Sequence, residues 1–211
     1  MDKNTENLIG HLSAELKPVP VLVHPALRAL PWLGLASVYL AGVVFFLGLR
    51  GDIVEKLGQG PYLFEIAAMG FISLSAALAS SWLCVPDMRG NKWILAVPFG
   101  ALAIFVLWTG ARGVLYGVDM PAPHWDHCFE SGILMGFVPI VGMLFLARKG
   151  ATTRPVTMSL MNTLAVGALG YIGLRLVCPT DTIGHAFFYH LFPFMVLGLV
   201  TGAIARKLYR W

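Results

Sequence analysis

Six long apolar runs constrain this chain more than any other feature of its sequence. They are Leu30–Gly48, Phe64–Cys84, Trp93–Thr109, Ser131–Ala147, Thr157–Leu176 and Ala186–Ala205. A bilayer core about 30 Å thick needs roughly 20 mostly apolar residues per helix, so each run approaches the length of one membrane span. The runs lack the apolar/polar alternation that is typical of strands. We therefore predict an all-α integral membrane protein, a bundle of six transmembrane helices.

Composition supports one membrane domain and no second one. Only 12% of the 211 residues are charged and 57% are apolar, whereas soluble domains are about one quarter charged. We divide the chain into a tail, residues 1–28, and a six-helix domain, residues 29–211. The tail carries Asp2, Glu6 and Glu15 and lacks a cleavage site, unlike a signal peptide, so we expect it to stay attached. The net charge of +4 comes from residues at helix ends, which gives no indication of direct nucleic-acid binding.

Lys and Arg residues gather on one side of the predicted bundle. If the N-terminus is inside the cell, eleven of the 15 lie in cytoplasmic segments: Lys3, Lys17, Arg28, Arg89, Lys92, Arg148, Lys149, Arg154, Arg206, Lys207 and Arg210. The other four lie outside: Arg50, Lys56, Arg112 and Arg175. The positive-inside rule therefore predicts that both termini are cytoplasmic.

Two loops on the predicted outer side combine thiols with imidazoles. The first reads Pro-Ala-Pro-His-Trp-Asp-His-Cys and ends at Cys128, and the second begins at Cys178 and leads to His185 and His190. Imidazole nitrogen and thiolate sulfur are ligands that Zn²⁺ and similar ions prefer. The candidate metal ligands are His124, His127, Cys128, Cys178 and His190. Three interpretations remain open: a structural disulfide, a metal- or oxidant-sensing cluster, and a catalytic metal or haem site. We expect no resident cofactor, and a divalent metal is a candidate signal.

Ionisable residues inside the apolar runs are functional candidates by default. Glu65 and Arg175 lie close to the predicted outer interface, where they could pair with each other. A transporter typically places polar groups and broken helices near the bilayer midplane. Here the midplane is almost bare of polar residues, which weakens a transport function.

The tail contains a short amphipathic helix. Leu8, Ile9, Leu12 and Leu16 recur at near-helical spacing, and Pro18 and the following residues favour an extended chain. A helix of about a dozen residues is marginal alone in water. Its polar face has few basic residues, which favours a protein partner over a membrane surface. The predicted partner-binding residues are Leu8, Ile9, Leu12, Leu16, Pro18 and Val19.

Several short motifs, taken in order, resemble the NrsF family of six-helix membrane anti-sigma factors. They are Glu6-Asn-Leu-Ile-Gly-His-Leu, Leu16-Lys-Pro-Val, Pro25-x-x-Arg28, Phe64-Glu65, Cys128, Cys178-Pro-x-Asp181 and Tyr189-His190-x-x-Pro193. The similarity covers nearly the whole chain, and the one departure is Tyr189, where a Trp is expected. The resemblance implies that the tail holds an extracytoplasmic-function sigma factor at the bacterial inner membrane. It also implies that Cys128 and Cys178 sense metal or oxidative stress.

We interpret the chain as a signalling protein and not as an enzyme. In the resting state the tail would cover a surface of the sigma factor. Metal binding or oxidation at Cys128 and Cys178 would then shift spans four to six, and the tail would let go. The alternatives are a membrane metal or redox enzyme, or a small transporter, with a His/Cys site at the outer face.

Overall fold

The computed structural model describes residues 3–14, 23–85, 92–119, 127–150 and 152–209. Within these ranges the protein is helical and contains no strand. In chain order the helices are α1 (Lys3–Ala14), α2 (Pro25–Leu47), α3 (Ile53–Leu57), α4 (Gly60–Leu83), α5 (Trp93–Tyr116), α6 (His127–Arg148), α7 (Pro155–Val177), α8 (Ile183–His185), α9 (Phe192–Ala203) and α10 (Ala205–Leu208). A π-helical segment, Ala186–Leu191, joins α8 to α9. Six stretches are long and apolar enough to cross a membrane, namely α2, α4, α5, α6, α7 and Ile183–Ala203, which confirms the six predicted spans.

The ends of the spans differ from those predicted. The third and fourth apolar runs looked short, but α5 and α6 extend into the polar flanks and reach 24 and 22 residues. The first span begins at Pro25, five residues before the apolar run, because His24 caps it. The His24 Nδ1 accepts a hydrogen bond from the Ala26 N–H at 3.3 Å, and proline suits the first helical position. Arg28, which we assigned to the tail, therefore lies inside α2.

Helix α7 forms the centre of the bundle. Its most apolar stretch is 67% buried, against 39% or less for the other five spans. Small residues permit this close packing. A Cβ added at Gly170 would lie 2.5 Å from Cζ of Phe194 on α9, and one added at Gly136 or Gly167 would lie 3.0 Å from the same side chain. Phe194 thus occupies a hole lined by three glycines, which fixes the position of α9 against α6 and α7.

Two aromatic side chains of α2 donate hydrogen bonds to carbonyls of α6, at and before its internal proline. The Trp32 indole N–H donates to the Pro139 carbonyl at 2.8 Å, and the Tyr39 hydroxyl donates to the Leu134 carbonyl at 2.8 Å. Pro139 removes a backbone donor from the middle of α6. The carbonyl that loses its helical donor is that of Met135, and the two aromatic side chains donate to carbonyls close to it, so they hold α2 against α6 around the turn that the proline interrupts.

Candidate metal centre

Four potential metal ligands meet at one end of the bundle, here called the cysteine end. Cys128 lies in the first turn of α6, and Cys178 lies directly after α7. His185 ends α8, and His190 lies in the π-helical segment. The ligand atoms of these four residues all lie within 4.8 Å of one another. Cys178 Sγ and His185 Nε2 are already 3.3 Å apart.

The π-helical segment brings the two histidines together. Residues five apart on a regular α-helix lie about 140° apart around its axis, which would direct the two rings to different sides. A π-turn accommodates one more residue per turn and reduces this angle. The ring centroids of His185 and His190 are consequently 5.1 Å apart. Pro193 favours the π-turn, because it has no N–H to donate to the Tyr189 carbonyl and so cannot make the α-helical bond there.

The donor set fits a tetrahedral metal ion. Zn–S bonds of about 2.3 Å and Zn–N bonds of about 2.0 Å place neighbouring ligands roughly 3.3–3.8 Å apart, so atoms within 4.8 Å of one another need to approach by at most about 1.5 Å. His190 is fully buried, its ring nitrogens have no hydrogen-bond partner with good geometry, and one of them lies within 4.8 Å of the other ligand atoms, where it interacts with the Cys178 thiol. A buried polar group without a partner is costly. No disulfide joins any of the three cysteines, all of which lie in described parts of the chain.

The thiol of Cys178 is in an environment that favours its ionised form. The adjacent Cys128 thiol lowers the pKa of Cys178 well below its usual range, while burial opposes this effect. The His190 ring and the Thr180 backbone add to the lowering. The thiolate is the form of cysteine that binds metals and reacts with oxidants. Cys178 is therefore prepared for either chemistry, whereas burial raises the pKa of Cys84 at the other end of the bundle.

The structure changes the predicted ligand set in two ways. His127 is next to Cys128 in sequence, but its side chain is 97% exposed, lies 3.8 Å from a Glu130 carboxylate oxygen and is not part of the cluster. His185 replaces it, although we had named it only among the residues of the outer face. The sequence did not reveal that His185 lies beside His190, because a spacing of five does not indicate a shared helix face. His124 lies outside the described residues.

A network of ion pairs surrounds the cluster. The Arg50 guanidinium is fully buried and bonds both oxygens of Asp181, at 2.9 and 2.8 Å. Lys56 and Arg175 reach the same carboxylate at 2.7 and 2.8 Å. Although burial opposes it, these cations hold the pKa of Asp181 well below its ordinary value. The acid therefore remains ionised and holds α2, α3 and α7 together at this end.

Glu65 lies at the centre of a second part of the network. It pairs with Arg175, as predicted. A Glu65 oxygen lies 3.0 Å from Arg175 Nε, although that N–H is not aligned for a hydrogen bond, so the attraction is between charges. Arg112 donates to Oε1 of Glu65 at 2.9 Å. The Tyr171 hydroxyl donates to Oε2, the oxygen beside Arg175, at 3.0 Å. Tyr171 in turn packs edge-on against His190, with ring centroids 5.9 Å apart. The buried carboxylate thus lies one side chain away from the candidate metal ligands.

The predicted partner-binding residues lie in α1 only in part. Leu8, Ile9 and Leu12 are in this helix, and each is more than half exposed. Leu16, Pro18 and Val19 lie outside the described residues. The apolar side chains of α1 are therefore accessible to another molecule.

Comparison with known proteins identifies the family of this chain. The chain is 27% identical over 185 residues to the anti-sigma-F factor NrsF of Caulobacter vibrioides (strain NA1000 / CB15N), covering 84% of this chain and 85% of that protein. No solved structure gives a significant match. The family described as NrsF, negative regulator of sigma F, matches residues 12–211. The chain therefore belongs to the NrsF family of anti-sigma factors.

Proposed function

We propose that this protein resides in the bacterial inner membrane and holds an extracytoplasmic-function sigma factor through its cytoplasmic tail. It releases that factor when a divalent metal binds Cys128, Cys178, His185 and His190 at the outer face. The observation that carries the sensing half is the approach of two thiols and two buried imidazoles, whose ligand atoms all lie within 4.8 Å of one another. The family consists of regulators, which favours this function over the enzyme and transporter alternatives.

The distribution of charge supports the assigned orientation. Six spans place both ends of the chain on one side of the membrane, and that side holds eleven of the 15 Lys and Arg residues. The other four, Arg50, Lys56, Arg112 and Arg175, each contact a carboxylate at the cysteine end. The tail would then face the cytoplasm, where a sigma factor is found, and the cysteines would face outward.

Metal binding accounts for more of the site than a disulfide does. A disulfide would use only the two sulfurs and would leave both imidazoles without a function. The two buried histidines complete a set of two sulfur and two nitrogen donors, which is a common composition for zinc. Cd²⁺ has similar preferences and is a suitable probe, because its bonds to thiolates absorb in the ultraviolet.

A titration of the purified full-length protein in detergent with Cd²⁺ tests the sensing half. Loss of an outer-shell partner typically weakens metal binding 10–100-fold, so loss of a ligand in Cys178→Ser or His185→Ala should weaken it by about 100-fold or more. Cys84→Ser and His127→Ala are matched controls, since neither side chain is in the cluster. Equal weakening by His127→Ala and His185→Ala would show that the ligand set is wrong.

The same experiment extends to the tail when the sigma factor is present. Membranes that carry the protein should capture a co-expressed extracytoplasmic-function sigma factor and release it when Cd²⁺ is added. Leu8→Ala with Leu12→Ala should weaken capture about 100-fold or more, because each buried leucine contributes about 1.5–3 kcal/mol. The control, Asn7→Ala with Ser13→Ala, changes the polar face of the same helix. Undiminished capture by the leucine variant would contradict the assigned contact, and release by a peroxide but not by Cd²⁺ would favour the disulfide.

A further inference from the structure

The side chain of Arg50 links the loop that holds Cys178 to the first membrane span. Its guanidinium is fully buried and donates to the main-chain carbonyls of Cys178 and Pro179, at 3.0 and 3.2 Å. It also bonds both oxygens of Asp52, at 2.6 and 2.9 Å, as well as those of Asp181. The Arg50 backbone N–H donates to the Leu176 carbonyl at 3.0 Å. One residue thus fastens both its side chain and its backbone to the end of α7.

The position of Arg50 in the chain gives these contacts a consequence. It follows α2 by three residues, and α2 is the span that continues into the tail. The covalent connection between the membrane domain and the tail therefore runs through α2, whichever helices move first. Trp32 and Tyr39 connect α2 to α6, which carries Cys128, but their contacts lie within the span. Arg50 makes the direct connection between the end of α2 and the loop of Cys178.

Arg50 contacts the candidate metal site through atoms that would not bind the metal. They involve the main-chain oxygen of Cys178, whereas a metal would use its sulfur. The four ligands come from α6, α8, the π-helical segment and the residue after α7, so α2 supplies none of them. When the ligand atoms approach one another by up to about 1.5 Å to coordinate a metal, the Cys178 backbone moves with them. The planar Arg50 guanidinium is bonded to two carbonyls and two carboxylates, so it transmits that movement to the end of α2.

We propose that Arg50 is the positioning residue that couples metal occupancy at Cys178 to α2 and hence to the tail. This inference rests on the proposed function, in which metal binding weakens the hold on the sigma factor. It assigns the transmission step to the first span, whereas the sequence had suggested movement of spans four to six. It also explains why an arginine is buried at a position that takes no part in metal binding.

The test compares metal binding with metal-dependent release in Arg50→Gln. Two quantities are measured on full-length protein: the affinity for Cd²⁺, and the ratio of sigma-factor affinities without and with saturating Cd²⁺. Allosteric ratios are typically about 5–150-fold. We expect Arg50→Gln to bind Cd²⁺ within about tenfold of wild type while this ratio falls below about twofold. Arg50→Lys should fail in the same way, because an ammonium keeps the charge but not the fork.

The matched control is Lys56→Gln, which removes another cation from the same Asp181 carboxylate. Its release ratio should equal that of wild type. A wild-type ratio in Arg50→Gln would overturn the inference, and so would loss of Cd²⁺ binding, which would make Arg50 part of the binding site. If Arg50→Gln does not accumulate in membranes, Arg50→Lys replaces it, since it keeps the buried positive charge but loses the planar fork; an unchanged ratio there is equally decisive. Failure of the wild type itself to capture or release the sigma factor contradicts the proposed function instead.

Discussion

Glu65→Gln is the substitution that best tests how the buried charges stabilise the bundle. The change keeps the size of the side chain and an acceptor for Tyr171, and it removes only the negative charge. Arg175, whose side chain is 5% exposed, would lose a counter-ion at 3.0 Å but keep Asp181 at 2.8 Å. Arg112 is 30% exposed and can turn towards the lipid headgroups.

The expected cost follows from these two partners. Removing one member of a buried ion pair costs about 3–5 kcal/mol. Because Arg175 keeps a second carboxylate and a partly exposed pair such as that with Arg112 contributes at most about 1 kcal/mol, we expect about 2–3 kcal/mol. Equilibrium unfolding in mixed micelles of increasing SDS content, followed by circular dichroism, measures the difference. Glu55→Gln is the control, as an exposed residue of the adjoining helix α3 that should change stability by less than about 0.5 kcal/mol. Equal stabilities for the two variants would refute the structural role of Glu65.

Two further predictions use the same unfolding measurement. Gly170→Ala places a Cβ 2.5 Å from the Phe194 ring and should lower the free energy of unfolding by about 1–3 kcal/mol. The control is Gly100→Ala, whose Cβ meets nothing within 4 Å and which should not destabilise the protein. Similar values for the two variants would contradict the packing described for α9. Asp181 has a pKa lowered from 3.8, so its stabilisation is complete well above pH 3.8 and is lost as the pH falls through its folded-state pKa. The stability difference between wild type and Asp181→Asn should therefore shrink under acid conditions, and a difference that grows there would refute the ion-pair assignment.

The sequence predicted the number and approximate place of the membrane helices because each must carry its own apolar surface. It predicted the helix ends less well, since they depend on local capping. His24 starts α2 by accepting a backbone hydrogen bond, and histidine is not a common cap. The continuation of α5 to Tyr116 was missed because that stretch includes Arg112, whose charge is neutralised by a residue 47 positions away.

The candidate site was predictable only in composition. Cys128, Cys178 and His190 could be grouped because the topology places their loops on one side of the membrane. The choice between His127 and His185 depends on the π-turn and on the direction of the first turn of α6, neither of which has a clear sequence signal. Arg50 could not be recognised at all, because a positive residue near a helix end usually serves only to set topology.

The charges at the cysteine end indicate how a bound cation would affect the neighbouring ion-pair network. In the described part of the chain the ion-pair network contains four cations and three carboxylates: Arg50, Lys56, Arg112 and Arg175, with Asp52, Glu65 and Asp181. The lowered pKa of Cys178 favours its thiolate, whose negative charge would balance the fourth cation. A divalent metal that displaces one proton from Cys128 adds one net positive charge to a poorly solvated site. That charge repels the guanidiniums of the network, including that of Arg50, which fastens α2 to this end, so electrostatics and the movement of the ligands act on the same connection.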